Sequence, residues 1–358
     1  MIGAVTIGRR RVGPGQPCYI VAELSANHHQ RFEKAIELVH AAKASGADAV
    51  KLQTYTPDTI TIDCDAPDFQ IGSGTLWEGR KLYDLYGEAS TPWEWHRPLL
   101  QLAASLGMEA FSSPFDASAV DFLEELGVPA YKIASFELVD LPLIRRVART
   151  GQPVIMSTGM ASIDEIAEAV DTARTAGARE LVLLACSSAY PSPPEAIRLR
   201  RIPDLAARFE VVTGLSDHTL GIAVPTASVA LGACMIEKHF CLSRSEPGPD
   251  SAFSLEPAEF AAMVEAVRTA ERALGRAEYG ASAAEQASQV FRRSLFVVRD
   301  VKAGERFTSE SVRSIRPGNG LHTRYLEDVL GRKATRDIPR GTPLSWDLVG
   351  RRLEPEPS

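Results

Sequence analysis

Eight short apolar runs punctuate the first 275 residues, and stretches patterned for amphipathic helices separate them. The runs are 18–23, 49–53, 109–112, 130–134, 153–157, 180–185, 211–215 and 234–237. The first, Cys18-Tyr19-Ile20-Val21-Ala22-Glu23, shows no polar alternation, as expected of a strand buried on both faces. After it, Phe32, Ala35, Ile36, Val39 and Ala42 recur at the three-and-four spacing of one helix face, and Gly46 supplies a stop. Further helical patterns cover 162–176 and 256–274. Eight strands alternating with helices over about 250 residues predict an α/β chain folded as a (β/α)8 TIM barrel. A doubly wound sheet is the rival, but no G-x-G-x-x-G follows the first strand.

Beyond the barrel the texture changes. Residues 276–291 are rich in Ala, Ser, Glu and Gln with little apolar periodicity, which predicts a linker. From 292 to 352, β-like pieces such as 294–298 alternate with turns at Ala303-Gly304, Pro317-Gly318 and Arg340-Gly341, giving a small, mostly β domain. A domain of about 60 residues is marginal alone, so packing on a partner is expected. Within the barrel, the connection from Thr54 to Thr91 is unusually long, and its Trp77, Tyr83 and Tyr86 argue for an ordered lid or contact surface.

Charge narrows the classes. The net charge is −7, yet residues 292–358 hold 14 Lys and Arg against 9 Asp and Glu, so the rest carries about −12. A basic tail on an acidic body suits either RNA or an anionic substrate brought to the body. The tail has no basic run interleaved with stacking aromatics, which counts against nucleic acid. No apolar run approaches the roughly 18 residues that span a bilayer. The N-terminus lacks the basic-then-apolar order of a signal peptide, and the five cysteines are scattered, so a cytoplasmic protein with reduced thiols is expected.

In a barrel of this kind the chemistry collects at the C-terminal ends of the strands. Those positions hold Glu23, Lys51, Gln53, Lys132, Ser135, Ser157-Thr158-Gly159, Ser187-Ser188, Ser216-Asp217-His218 and Glu237-Lys238-His239. Any one of them could be an ordinary loop residue, but two lysines and two histidines at one mouth are harder to dismiss. His218 and His239 end neighbouring strands, so their imidazoles can meet over one point and suit a divalent metal with open positions. Strand-end histidines serve equally as general acids or hydrogen-bond donors. Glu237 and Asp217 are placed to orient ligands or water around them. Lys51, Lys132 and the Ser157-Thr158-Gly159 turn suit a phosphate with a carboxylate, although Lys51 could instead pair with Glu23.

Taken together these stretches resemble the sialic acid synthase family. The similarity runs from Ala22-Glu23-Leu24-Ser25-Ala26-Asn27-His28 through Val50-Lys51-Leu52-Gln53-Thr54, Tyr131-Lys132-Ile133-Ala134-Ser135, Met156-Ser157-Thr158-Gly159-Met160 and Gly214-Leu215-Ser216-Asp217-His218-Thr219 to Glu237-Lys238-His239-Phe240. In the tail, Arg316-Pro317-Gly318-Asn319-Gly320 resembles the antifreeze-like (SAF) domain that ends these enzymes. The branch making pseudaminic acid is the most similar, through Thr75-Leu76-Trp77-Glu78-Gly79-Arg80, Thr91-Pro92-Trp93-Glu94-Trp95-His96 and Ser188-Ala189-Tyr190-Pro191.

The resemblance implies that C3 of phosphoenolpyruvate (PEP) attacks the aldehyde carbon of an open-chain, N-acetylated amino sugar. Water then adds at C2, and phosphate leaves by C–O cleavage. It implies a metal (Mn²⁺, Co²⁺ or Mg²⁺) on His218 and His239, and Lys51, Lys132, Ser135, Ser157 and Ser216 gripping PEP. Glu23 would be the acid/base; Gln53, Ser188, Tyr190 and Asp250 would line the sugar site. Arg316 would come from the second subunit of a domain-swapped homodimer. Legionaminic and N-acetylneuraminic acid synthases are the alternatives within the family. Outside it stand a class II-like aldolase or PEP-dependent sugar-phosphate synthase on the same barrel, and a non-catalytic glycan- or ice-binding protein built around the tail.

Overall fold

The structure is a computed structural model describing residues 2–351. A short hairpin, β1 (Val5–Ile7) and β2 (Arg10–Val12), precedes the barrel. The eight apolar runs then become eight parallel strands: β3 (Tyr19–Glu23), β4 (Ala49–Thr54), β5 (Glu109–Pro114), β6 (Tyr131–Ile133), β7 (Val154–Ser157), β8 (Leu181–Cys186), β9 (Val212–Asp217) and β10 (Met235–His239). They close in sequence order, with β10 pairing back onto β3. All strand residues but Gln53 in β4 and Glu109 at the start of β5 are buried, which explains why the runs read as continuous apolar blocks. The register sets His239 beside Glu23, and Glu23 beside Lys51, at one level of the barrel wall.

Helices form where the pattern requires them. Helix Phe32–Ala44 buries Ala35, Leu38, Val39 and Ala42. Helix Ile163–Thr175 opens with a capping box: the Ser162 hydroxyl accepts from the Glu165 N–H, and the Glu165 carboxylate accepts from the Ser162 N–H. Such caps contribute about 1 kcal/mol. Its buried face is Ile166, Ala169, Val170 and Ala173, packed on the barrel wall.

The terminal hairpin has no counterpart in the sequence reading. Val5, Ile7 and Val12 join the inward-facing Tyr19, Val21, Phe111, Val182 and Leu184 in one apolar cluster, so the hairpin plugs the N-terminal end of the barrel. Gly8 makes its turn at φ +57°, a conformation that favours glycine. Three residues per strand are too few to show alternation.

The chain divides into two units after Gly275. In the second, β11 (Ser294–Val297) and β12 (Val312–Ile315) pair antiparallel. Leu295, Val297, Val301, Phe307, Val312 and Leu344 make its core. Residues 276–291 are exposed throughout and end in a 3-10 segment, Gln286–Phe291. Arg352, the expected end of the tail domain, lies outside the described residues. Among the described residues no helix is long and apolar enough to cross a membrane.

Candidate active site

Four charged side chains meet inside the barrel. Lys51 Nζ lies 2.6 Å from Glu23 Oε2 and 3.2 Å from Glu237 Oε1, while Lys132 Nζ approaches the same Glu237 oxygen at 3.5 Å. The Lys51–Glu23 pair therefore exists, and it sits within the cluster instead of replacing it. All four are buried. Burial pushes the Glu23 carboxyl up to about 7, with Lys51 pulling the other way and Glu237 adding to the rise. For Lys51, burial alone would lower the ammonium, but Glu23 and Glu237 override it and raise it. Burial lowers Lys132, against the attraction of Glu237. Glu237 opposes burial successfully: Lys132 and Lys51 hold it below the usual carboxylate range. Glu23 is thus the member of the cluster poised near neutral pH.

Hydroxyls and amides surround this cluster. Ser113 Oγ accepts from Lys51 at 3.2 Å, and Ser216 Oγ donates to Glu237 Oε1 at 3.3 Å. The Gly159 N–H donates to Ser135 Oγ at 3.1 Å. A Cβ at position 159 would collide with the Ser135 and Ser188 hydroxyls, so only glycine admits this approach of turn and wall. Ser157 Oγ, the second Glu237 oxygen and His239 Nδ1 are buried and find no hydrogen-bond partner among the described residues. Orphaned polar atoms gathered at one mouth are the mark of a site built for a polar ligand.

The imidazoles of His218 and His239 do meet, with ring centroids 5.3 Å apart. His218 Nδ1 lies 2.8 Å from the Ser187 carbonyl. A proton there leaves Nε2 with its lone pair free. Burial, reinforced by His218 and the nearby lysines, holds His239 well below the usual imidazole range, hence neutral. For His218, burial is outweighed by Cys186 and the Ser187 carbonyl, which raise it. Two imidazoles facing each other at one mouth are a donor set that fits a divalent metal with open positions. Among the described residues, no group of three or more His, Cys, Asp and Glu side chains converges as a complete ligand set.

On the other side lies a polar and aromatic wall. Gln53 Nε2 donates to Ser25 Oγ at 2.9 Å and reaches Glu23 Oε1 at 3.3 Å, while the Ser25 hydroxyl donates to Asp250. Burial raises the Asp250 carboxyl. Tyr190 packs on His218 with centroids 4.4 Å apart, and Trp77 from the long connection packs on Tyr190 at 5.6 Å. Trp77 Nε1 also donates to the Pro249 carbonyl at 3.0 Å, which makes the connection an ordered part of the wall.

Apart from Asp217, the side chains expected to line the site from the barrel lie at this one mouth; Arg316 belongs to the second unit and is exposed there. The structure adds residues the sequence did not suggest. Phe253 packs on His239 at 4.9 Å and on Tyr190 at 5.2 Å. Glu137 keeps a buried, unpartnered oxygen near Lys132, and burial pushes its carboxyl up to about 7. Asp217 was expected near the imidazoles, but it points away from the mouth and pairs with Lys238.

Comparison with known proteins gives the family. The family model described as the NeuB family matches residues 38–279, and that of the SAF domain matches residues 292–350. The chain belongs to the NeuB family. Pseudaminic acid synthase of Helicobacter pylori is 46% identical over 94% of this NeuB-family chain and 99% of its own length. N,N'-diacetyllegionaminic acid synthase of Legionella pneumophila is 37% identical over 94% and 96%. Among solved structures, the spore coat polysaccharide biosynthesis protein SpsE of Bacillus subtilis aligns with TM-score 0.66 at 34% identity, covering 98% of this chain and all (100%) of that one.

Proposed function

We infer that this NeuB-family chain is a pseudaminic acid synthase. It condenses PEP with an open-chain 6-deoxy-2,4-diacetamido hexose and one water, which adds at C2, releasing pseudaminic acid and phosphate. The observation that carries the reading is the convergence of Lys51, Lys132, Glu23 and Glu237 with paired imidazoles and orphaned polar atoms at one barrel mouth. Its identity to the Helicobacter pylori and Campylobacter jejuni pseudaminic acid synthases, 46% and 45%, exceeds the 37% to the Legionella legionaminic acid synthase.

The chain's own residues divide the work. Lys51 and Lys132 attract the phosphate and carboxylate of PEP, and the hydroxyls of Ser135, Ser157 and Ser216 with the Gly159 turn fix its orientation. Glu23 moves a proton at the reacting C2–C3 unit, for which a carboxyl near 7 is well matched. Gln53, Ser188, Tyr190 and Asp250 receive the sugar. His218 and His239 would hold a divalent ion (Mn²⁺, Co²⁺ or Mg²⁺), which supplies Lewis acidity toward the aldehyde oxygen. Assay with PEP, metal and a panel of amino sugars, products read by mass, tests the assignment.

Specificity follows from Ser188 and the aromatic wall. The expected result is preference for the 6-deoxy diacetamido sugar over N-acetylmannosamine. A sugar methyl facing Trp77, Tyr190 and Phe253 leaves no polar group stranded, whereas each buried polar group left unpaired costs about 1–3 kcal/mol. A preference above tenfold for N-acetylmannosamine would assign the chain to the neuraminic acid branch.

We also infer a domain-swapped homodimer in which Arg316 serves the sugar site of the other subunit. Supporting this, Arg316 is exposed and enters none of the ion pairs found among the described residues. Mixing Arg316→Ala with His239→Ala, each inactive alone, should restore activity. Random exchange makes about half the dimers mixed, with one complete site each, so roughly a quarter of all sites should work. Proven subunit exchange without recovery would place Arg316 in its own chain's site or in none.

A further inference from the structure

Asp217 and Lys238 each sit one residue before a site histidine, yet neither faces the mouth. Ser216 and Glu237 bond to each other inside the barrel, so strand pleating sends the next residue on each strand to the helix side of the wall. There the register sets Lys238 directly opposite Asp217. Both side chains are 0% exposed, and Lys238 Nζ lies 2.6 Å from Asp217 Oδ2.

The bonding continues around His218. Lys238 also donates to the Thr219 carbonyl. Asp217 accepts from the Thr219 N–H at 3.0 Å and from its hydroxyl at 3.1 Å. The residues before and after His218 are thus both tied to the residue before His239. A fully buried ion pair adds little net stability, because desolvation consumes most of the Coulombic gain. What it supplies that two apolar side chains would not is direction: two strands locked at one register and one turn held closed.

We propose that the Asp217–Lys238 pair is a positioning device that sets the spacing and orientation of the two site imidazoles, and through them the affinity for a divalent ion. The proposal rests on the metal reading given above. Asp217→Asn combined with Lys238→Met removes both charges at similar volume, so no unpaired charge is left buried. Mn²⁺ binding, read by electron paramagnetic resonance beside a thermal melt, tests it without recourse to activity.

The double variant is expected to melt within a few degrees of the native protein and to bind Mn²⁺ at least tenfold more weakly. A merely structural pair would lower the melting temperature and leave affinity unchanged below it. Affinity within threefold of native in the folded variant overturns the proposal. Should the double variant not fold, Asp217→Asn alone, which removes the Asp217–Lys238 ion pair, is measured in its place with the same two outcomes. If the native protein takes up no Mn²⁺, or His239→Ala binds it as tightly as native, the metal reading fails and this proposal falls with it.

Discussion

Glu23→Gln is expected to lower turnover by roughly 10²–10⁴-fold while PEP still binds. Gln has the same size and still offers an oxygen to the Ser25 N–H, which lies 2.9 Å from Glu23 Oε1. Lys51 keeps Glu237 as a partner at 3.2 Å, so the cluster stays assembled. What is lost is the proton. The variant should also lose a pH dependence. With Glu23 protonated, the four-member cluster carries one net positive charge; once it ionises, near pH 7, the cluster is neutral. The native protein should therefore bind anionic PEP less tightly as pH rises through about 7, more steeply than the variant, whose residue 23 is neutral throughout. Normal turnover with weakened PEP binding would make Glu23 a binding residue instead.

The barrel was legible because its strands are buried on both faces, and eight such runs alternating with helical patterns leave few other folds. The residues at the strand ends were legible for the same reason: Lys51 or Lys132 at the end of an apolar run has no use in a core and must meet a partner or a ligand. The polarity of each neighbour was harder to read. Asp217 sits between Ser216 and His218, and composition alone enrols all three in the site. Pleating by alternate residues was the available signal, and it places Asp217 on the opposite face, where Lys238 completes the pair.

Phe253 and Glu137 gave no comparable signal. Phe253 lies in the 3-10 turn Ser251–Phe253, well beyond the end of β10 at His239, and its contact with both imidazoles depends on how that connection folds back. Glu137 lies in the 3-10 segment Ser135–Val139, where no period predicts which side chains turn inward. The terminal hairpin was missed for want of length. Local pattern thus reports what a strand or helix repeats, while single residues in irregular connections become visible only once the chain is closed.

Removing divalent metal should abolish turnover and leave the fold standing. The barrel core is apolar side chains packed between wall and helices, and neither His218 nor His239 belongs to it. The backbone at each histidine is tied down without a metal: the Ser192 N–H donates to the His218 carbonyl at 2.9 Å, and the Leu255 N–H to the His239 carbonyl at 2.9 Å. Burial keeps His239 neutral, so emptying the site adds no charge at that imidazole. Closed four-ligand zinc sites contribute about 10–16 kcal/mol to folding, whereas two ligands with open positions contribute far less. After chelation, circular dichroism and the melting temperature should be nearly unchanged and activity absent. Adding back Mn²⁺, Co²⁺ or Mg²⁺ should restore activity and rank the ions. Unfolding on chelation would mean that the metal is structural, and full activity without it would return the two histidines to the role of hydrogen-bond donors on the sugar.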